Sequence, residues 1–176
     1  MGVIPRALFC GLFWLGVAAA ADEEQLSLKN GETLRYHRVE NQRESAQPAA
    51  AELLRHLAAG EIEQAALLSN APKRRYEVLE QYLASVGANE FRRVYGQYLF
   101  PENRVVAEFA AGPRRLIIWD LGEAGHRLAA QYYVEVEGRF LMDDVPSPAR
   151  ARLGELLRAY RSASRPAGTT SPARTD

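Results

Sequence analysis

RVVAEFAAGPRRLIIWDLGEAGHRLAAQYYVEVEGRFLMDD, running from Arg104 to Asp144, decides the fold. It divides into runs rich in β-branched and aromatic residues: Arg104 to Ala110, Arg114 to Leu121, Leu128 to Glu137 and Arg139 to Asp143. The gaps between them are turn signals, Gly112-Pro113, Gly122-Glu123-Ala124-Gly125 and Gly138. One further run, Val94 to Phe100, ends at Pro101-Glu102-Asn103 and reads as the first strand of the same series. Connections this short leave no room for crossovers, so neighbouring strands pair antiparallel as a meander.

Alternation then assigns faces. Val105, Ala107 and Phe109 fall on one side of their strand, and Val106, Glu108 and Ala110 on the other. Leu116 to Leu121 is apolar on both sides except at Asp120, as a central strand is. Ile117, Trp119 and Leu121 are expected to take the helices. Phe109, Tyr132 and Tyr98 join Trp119 in any pocket enclosed there. Leu116, Ile118, Val106 and Tyr133, mixed with Glu108, Glu135 and Asp120, are too apolar for water and too charged for a core, which makes them an expected interface.

Outside the meander the period changes to that of helices. Pro48 opens a helix to Ala59 with Leu53, Leu54 and Leu57 on one face, and Gly60 ends it. Glu61 to Leu68 carries Ile62, Ala65 and Ala66 at helical spacing. Asn70 is placed to cap a helix from Ala71 to Val86 with the stripe Tyr76, Leu79, Leu83 and Val86, stopped by Gly87. Ser147-Pro148 opens a last helix, in which Leu153, Leu156, Leu157 and Tyr160 follow at i, i+3, i+4 and i+7. The expected class is α+β: N-terminal helices packed on a curved antiparallel meander, with a C-terminal helix, spanning residues 48–161. Before it, residues 22–47 are either a hairpin about Asn30-Gly31 or a flexible polar arm. After it, residues 162–176 have little to bury and are expected to be a disordered tail.

Met1 to Ala21 has the form of a secretory signal peptide: Arg6, an apolar run from Ala7 to Val17, and Ala18 to Ala21 as the small residues of a cleavage site. Counted to Ala21 the run is shorter than the ~20 residues of a spanning helix, so no stable membrane span is expected after cleavage. Cys10, the only cysteine, leaves with the signal. Localisation is therefore exported, periplasmic or secreted.

Acidic and basic residues balance at 22 each, which gives no electrostatic footprint for nucleic acid. Lys29 and Lys73 are the only lysines among the basic residues, which reads first as a compositional bias and second, since guanidinium suits carboxylate and phosphate contacts, as a functional one. Lys73, Arg74 and Arg75 put positive charge in the first turns of a helix, where the macrodipole favours negative charge. That run is either a solvated face or an anion or partner site, the latter if Arg92 and Arg93 fold nearby. Catalytic candidates are Asp120, His126, Asp143 and Tyr132. Each has a plainer account: Asp120 and His126 bracket a glycine-rich turn, and Asp143 and Asp144 end a strand. His37 and His56 read as surface rings. No zinc-protease, nucleophile-elbow, phosphate-loop or CxxC motif occurs, and three scattered histidines have no ligand spacing. No catalytic residue, metal or cofactor is assigned.

Leu53-Leu54-Arg55-His56-Leu57-Ala58-Ala59-Gly60-Glu61-Ile62-Glu63-Gln64-Ala65-Ala66, then Phe91, the strands and Val134-Glu135-Val136-Glu137-Gly138-Arg139-Phe140-Leu141, resemble the nuclear transport factor 2-like superfamily, the cystatin-like α+β cone. The resemblance covers roughly Ala49 to Val145 and is one of architecture. It implies either a binding or dimerisation module, or an isomerase or dehydratase using the space between sheet and helices. The residues favour the first: an exported binding or assembly module, with a second copy of the chain or another envelope protein as partner across the outer sheet face.

Overall fold

The computed structural model describes residues 22–122 and 127–164, so the signal-peptide reading of Met1 to Ala21, His126 and the tail beyond Ser164 fall outside the described residues. Six strands form one antiparallel sheet in sequence order: Glu24–Ser27 (β1), Thr33–Arg38 (β2), Arg104–Ala111 (β3), Arg114–Asp120 (β4), Leu128–Val136 (β5) and Arg139–Met142 (β6). Between β2 and β3 come Gln47–Ala59 (α1), Ile62–Leu67 (α2), Pro72–Val86 (α3) and Ala88–Gly96 (α4); Pro148–Ala163 (α5) follows the sheet. The class is α+β with a C-terminal helix, as expected.

One expected strand is a helix. Val94 to Phe100 forms the end of α4 and a 3-10 turn over Gln97–Leu99. Its aromatic residues pack at helical spacing. Phe91 and Tyr95, one turn apart, have ring centroids 4.8 Å apart, and Tyr82 of α3 meets both. Burying that cluster outweighs the strand preference of valine and tyrosine, a weak and context-dependent term.

The N-terminal segment resolves to the hairpin, and the sheet reaches six strands through it. Gly31, at φ 83°, donates to the Leu28 carbonyl at 3.0 Å, while Leu28 donates to that of Glu32 at 2.8 Å. Lys29-Asn30-Gly31 is thus a three-residue loop with glycine in the left-handed position. β2 then joins β3 through His37↔Ala110 and Arg38↔Phe109.

Both faces of the sheet are covered. On one side α1 to α4 pack Leu53, Leu54, Leu57, Leu79 and Phe91 against Ile117, Trp119, Leu121 and Tyr133. On the other, Leu153, Leu156 and Leu157 of α5, with Leu28 and Leu34 of the hairpin, enclose Ala107, Phe109, Leu116 and Ile118. Each of these leucines removed from water is worth about 1.5–3 kcal/mol. The hairpin and α5 are also joined by polar contacts: Lys29 N donates to Glu155 Oε2 at 3.1 Å, and Arg152 lies 3.6 Å from Glu32.

A bulge breaks the alternation in β3. Val105 pairs with Trp119 but Ala107 pairs with Ile118, leaving Val106 as the extra residue. Val105 consequently packs with the α1–α4 core, whereas Ala107 and Phe109 turn to α5. Register corrects a second assignment. Leu116 pairs with Tyr132 and Arg115 with Tyr133, so Tyr133 belongs to the face of Trp119 and not to that of Leu116.

Candidate functional site

A group of polar and aromatic side chains lies between the sheet and α1–α4. Trp119 Nε1 donates to Gln131 Oε1 at 3.1 Å, and the Tyr133 hydroxyl donates to the same oxygen at 3.4 Å. Gln131 stands between them because alternation along β5 puts it on the face of Trp119 and Tyr133. Tyr98, from the turn after α4, meets Trp119 edge-on at 5.4 Å. Burial pushes the phenols of Tyr133, Tyr98 and Tyr95 above their usual value, most strongly Tyr133.

Beside this group a charged network ties the α2–α3 connection to the end of β6. Leu68 and Asn70 exchange backbone bonds with Met142 at the edge of β6 (Met142 N to Leu68 O at 2.8 Å, Asn70 N to Met142 O at 3.0 Å). These place Ser69 and Asn70 opposite two aspartates. Asp143, 1 % exposed, accepts from Asn70 Nδ2 at 2.8 Å and Arg114 Nε at 3.1 Å. Asp144 accepts from Ser69 Oγ at 2.7 Å and Arg75 Nη1 at 3.3 Å, and its N–H donates to Asn70 Oδ1 at 2.8 Å. The Arg75 and Asp144 charges reach Tyr95 and Tyr133.

Two further buried charges serve the frame. Glu108 accepts from Ser45 Oγ at 2.6 Å, Ala46 N at 2.7 Å and Gln47 Nε2 at 3.1 Å, so a β3 carboxylate caps the start of α1. Arg115 lies 4.9 Å over the Phe140 ring and donates to the carbonyls of Glu44, Gly112 and Arg114. A groove of about 540 Å³ opens beside the α1 cap, lined by Val39, Asn41, Ser45, Gln47 and Pro48 among others. Ser45 and Gln47 are already engaged with Glu108.

The four expected pocket residues do not come together. Trp119 and Tyr98 are in contact under the helices, whereas Phe109 and Tyr132 lie on the opposite side of the sheet, packed with α5. The bulge at Val106 moves Phe109, and the β4–β5 register moves Tyr132. The expected interface is also redistributed. Leu116 and Ile118 are 0 % exposed in the α5 core, Val106 packs at its margin, and Tyr133 is buried on the far face.

Asp143, which follows the end of β6, is interior, and Asp144 is ion-paired. Asp120 pairs with Arg104 and Leu128 at the strand end, and its carboxylate accepts from Gly122 N at 3.3 Å. His56 is held between two charged groups: Arg55 Nη2 lies 2.9 Å from its Nε2, and Glu61 Oε2 2.6 Å from its Nδ1. A guanidinium only donates, so Nε2 accepts and Nδ1 carries the proton to Glu61. His37 lies 3.6 Å from Glu44.

The basic run at the start of α3 is divided. Arg75 turns inward to Asp144, Lys73 and Arg74 are exposed, Arg93 pairs with Glu90, and Arg92 lies against Gly60 at the end of α1. The roles of Glu108 and of the Ser69–Asn70 pair were missed in the sequence. Ser69-Asn70 ahead of Ala71-Pro72 was the one local signal, since Ser69 Oγ accepts from Ala71 N at 2.9 Å.

Among the described residues no group of three or more His, Cys, Asp or Glu is placed to hold a metal ion, and no helix is long and apolar enough to cross a membrane. No protein-family model, curated protein or solved structure significantly matches this chain.

Proposed function

We infer that the chain is an exported binding or assembly module of the cell envelope, acting through contacts rather than through a reaction. The observation that carries this reading is the use made of the buried charges. Glu108 caps α1, Arg115 holds the turn over Gln42–Glu44, and Asp143 and Asp144 fasten the α2–α3 connection to β6. Each ties one element to another. The α5 helix occupies the sheet face expected to receive a partner, which moves any contact to the remaining surface. Leu99 and Phe100, consecutive and 51 % and 52 % exposed, are apolar side chains left to water there. Export rests on the form of Met1 to Ala21. The likeness to the nuclear transport factor 2-like cone belongs to the same proposal. It is supported by α1, α2 and α3 preceding an antiparallel meander and packing on one face of it.

The second reading, a small-molecule site or an isomerase or dehydratase, is favoured by one feature. The Arg75–Asp144 pair stands within electrostatic reach of Tyr95 and Tyr133 on the helix-facing side. Trp119 separates the two. Trp14 and Trp119 are the only tryptophans, so Trp14→Phe leaves Trp119 as the sole emitter in the full chain. With the interior filled by side chains, Trp119 emits at short wavelength, resists soluble quenchers and does not respond to a panel of small apolar and carbonyl compounds. A saturable response to one compound, abolished by Arg75→Gln, would favour the enzyme reading instead.

A further inference from the structure

Gly154 stands in the middle of α5, where glycine is less favourable than alanine. Its backbone is not left-handed, and a methyl group there would meet its nearest neighbours at ordinary contact distances: the Tyr132 hydroxyl oxygen at 3.9 Å and Arg158 Nη1 at 4.0 Å. Neither backbone conformation nor lack of room explains the glycine. Both of these neighbouring atoms are hydrogen-bond donors.

Three guanidinium groups of α5 neighbour Tyr132 or Gly154. Arg150, Gly154, Arg158 and Arg161 share one face of α5 at helical spacing. Arg150 lies over the Tyr132 ring with its central carbon 5.3 Å from the centroid, and Arg161 Nη2 donates to the Leu128 carbonyl at 2.9 Å. Among the described residues the Tyr132 hydroxyl has no hydrogen-bond partner. Glu155, the acid nearest Arg158, stands 3.8 Å away, beyond hydrogen-bond length, and has Lys29 N at 3.1 Å. The charges of Arg150, Arg161 and Arg158 all act on the Tyr132 phenol, against the upward push of burial. Tyr132 is half-buried and Arg158 and Arg161 are exposed, so the cluster is open to solvent on one side.

The geometry points to a binding site for a tetrahedral oxyanion, a phosphate or phosphoryl group, over Gly154, held by the Tyr132 hydroxyl and the guanidiniums of Arg158, Arg150 and Arg161. Guanidinium forks match the oxygen spacing of phosphate and make its strongest hydrogen bonds, and the phenol adds a neutral donor. The glycine keeps the ligand's place clear. An anion here would serve an assembly module and an enzyme alike.

The test is thermal unfolding and direct calorimetric titration of the full chain with inorganic phosphate, against sodium chloride at matched ionic strength and against citrate. Phosphate is expected to raise Tm saturably where chloride does not. Arg158→Gln and Tyr132→Phe should each weaken phosphate binding by about tenfold, while Arg74→Gln, at an exposed guanidinium on α3, leaves it unchanged. Gly154→Ala discriminates most sharply: it should raise Tm without ligand, as alanine does in a helix, and still weaken phosphate binding. Equal effects of phosphate and chloride would overturn the site. Full binding in Gly154→Ala would overturn its place over the glycine, and a tighter response to citrate would overturn the tetrahedral class. Glucose 6-phosphate as a second probe separates sources. Binding at least as tight as that of inorganic phosphate supports a phosphoryl group on a larger ligand, and weaker binding supports the free ion.

Discussion

At the scale of single residues, the side chains that matter most work at a distance from their own element. Glu108 belongs to β3 yet ends at the start of α1, where Ala46 has no side-chain cap of its own. Glu108→Ala leaves the Ala46 N–H and the Ser45 and Gln47 donors without an acceptor. It is expected to cost about 2–3 kcal/mol in urea unfolding, in line with loss of hydrogen bonds to a charged group. Glu108→Gln should recover part of that loss, because an amide oxygen still accepts; equal stability of all three proteins would remove the capping role. Nothing near Pro48 in the sequence could announce this contact, since its acceptor is supplied more than fifty residues later. The bulge at Val106 was equally silent. Val105, Val106 and Ala107 alternate without a flaw on paper, and only pairing with β4 reveals the extra residue. The same slip moved Phe109 out of the expected pocket.

Among elements, the helices were legible and their destinations were not. Leu153, Leu156 and Leu157 state that α5 is amphipathic, but an apolar stripe does not say which face of a sheet receives it. Leu116 and Ile118 looked like an interface because their cover comes from this later helix. The cover makes a direct prediction. Ile118→Glu puts an unpaired carboxylate under α5 and is expected to cost more than about 3 kcal/mol, enough to displace the helix or prevent folding. Leu99→Glu, at a side chain already half in water, should leave Tm within error. Circular dichroism melts of the two variants decide the matter, and a stable Ile118→Glu protein would mean that this face opens. The Val94 to Phe100 run failed for a related reason. Valine and tyrosine favour strands, but the aromatic contacts that favour α4 come from α3.

For the molecule as a whole, a tyrosine-rich interior sets its response to alkali. Burial raises the phenols of Tyr95, Tyr98, Tyr132 and Tyr133 above the ordinary value of about 10. Below that value the folded and unfolded chains are both protonated, and the stabilisation is fully present. As pH rises through it the unfolded chain releases protons first, so stability falls, by up to roughly 1.4 kcal/mol per pH unit for each phenol involved. Urea midpoints measured from pH 9 to 11 should decline from about pH 10, and Tyr133→Phe should flatten the decline. A midpoint constant across that window would contradict the closed interior. The overall class could be read from the meander, whereas the two-sided cover could not, because it depends on contacts between the chain's opposite ends. The Lys29–Glu155 contact joins residues 126 apart, and Leu28 and Leu34 complete their apolar cover with Leu153, Leu156 and Leu157. An isolated two-stranded hairpin is barely stable in water. On a ribosome, then, the hairpin is made long before the strands and helix it packs with, and that side of the sheet is covered only when α5 has emerged.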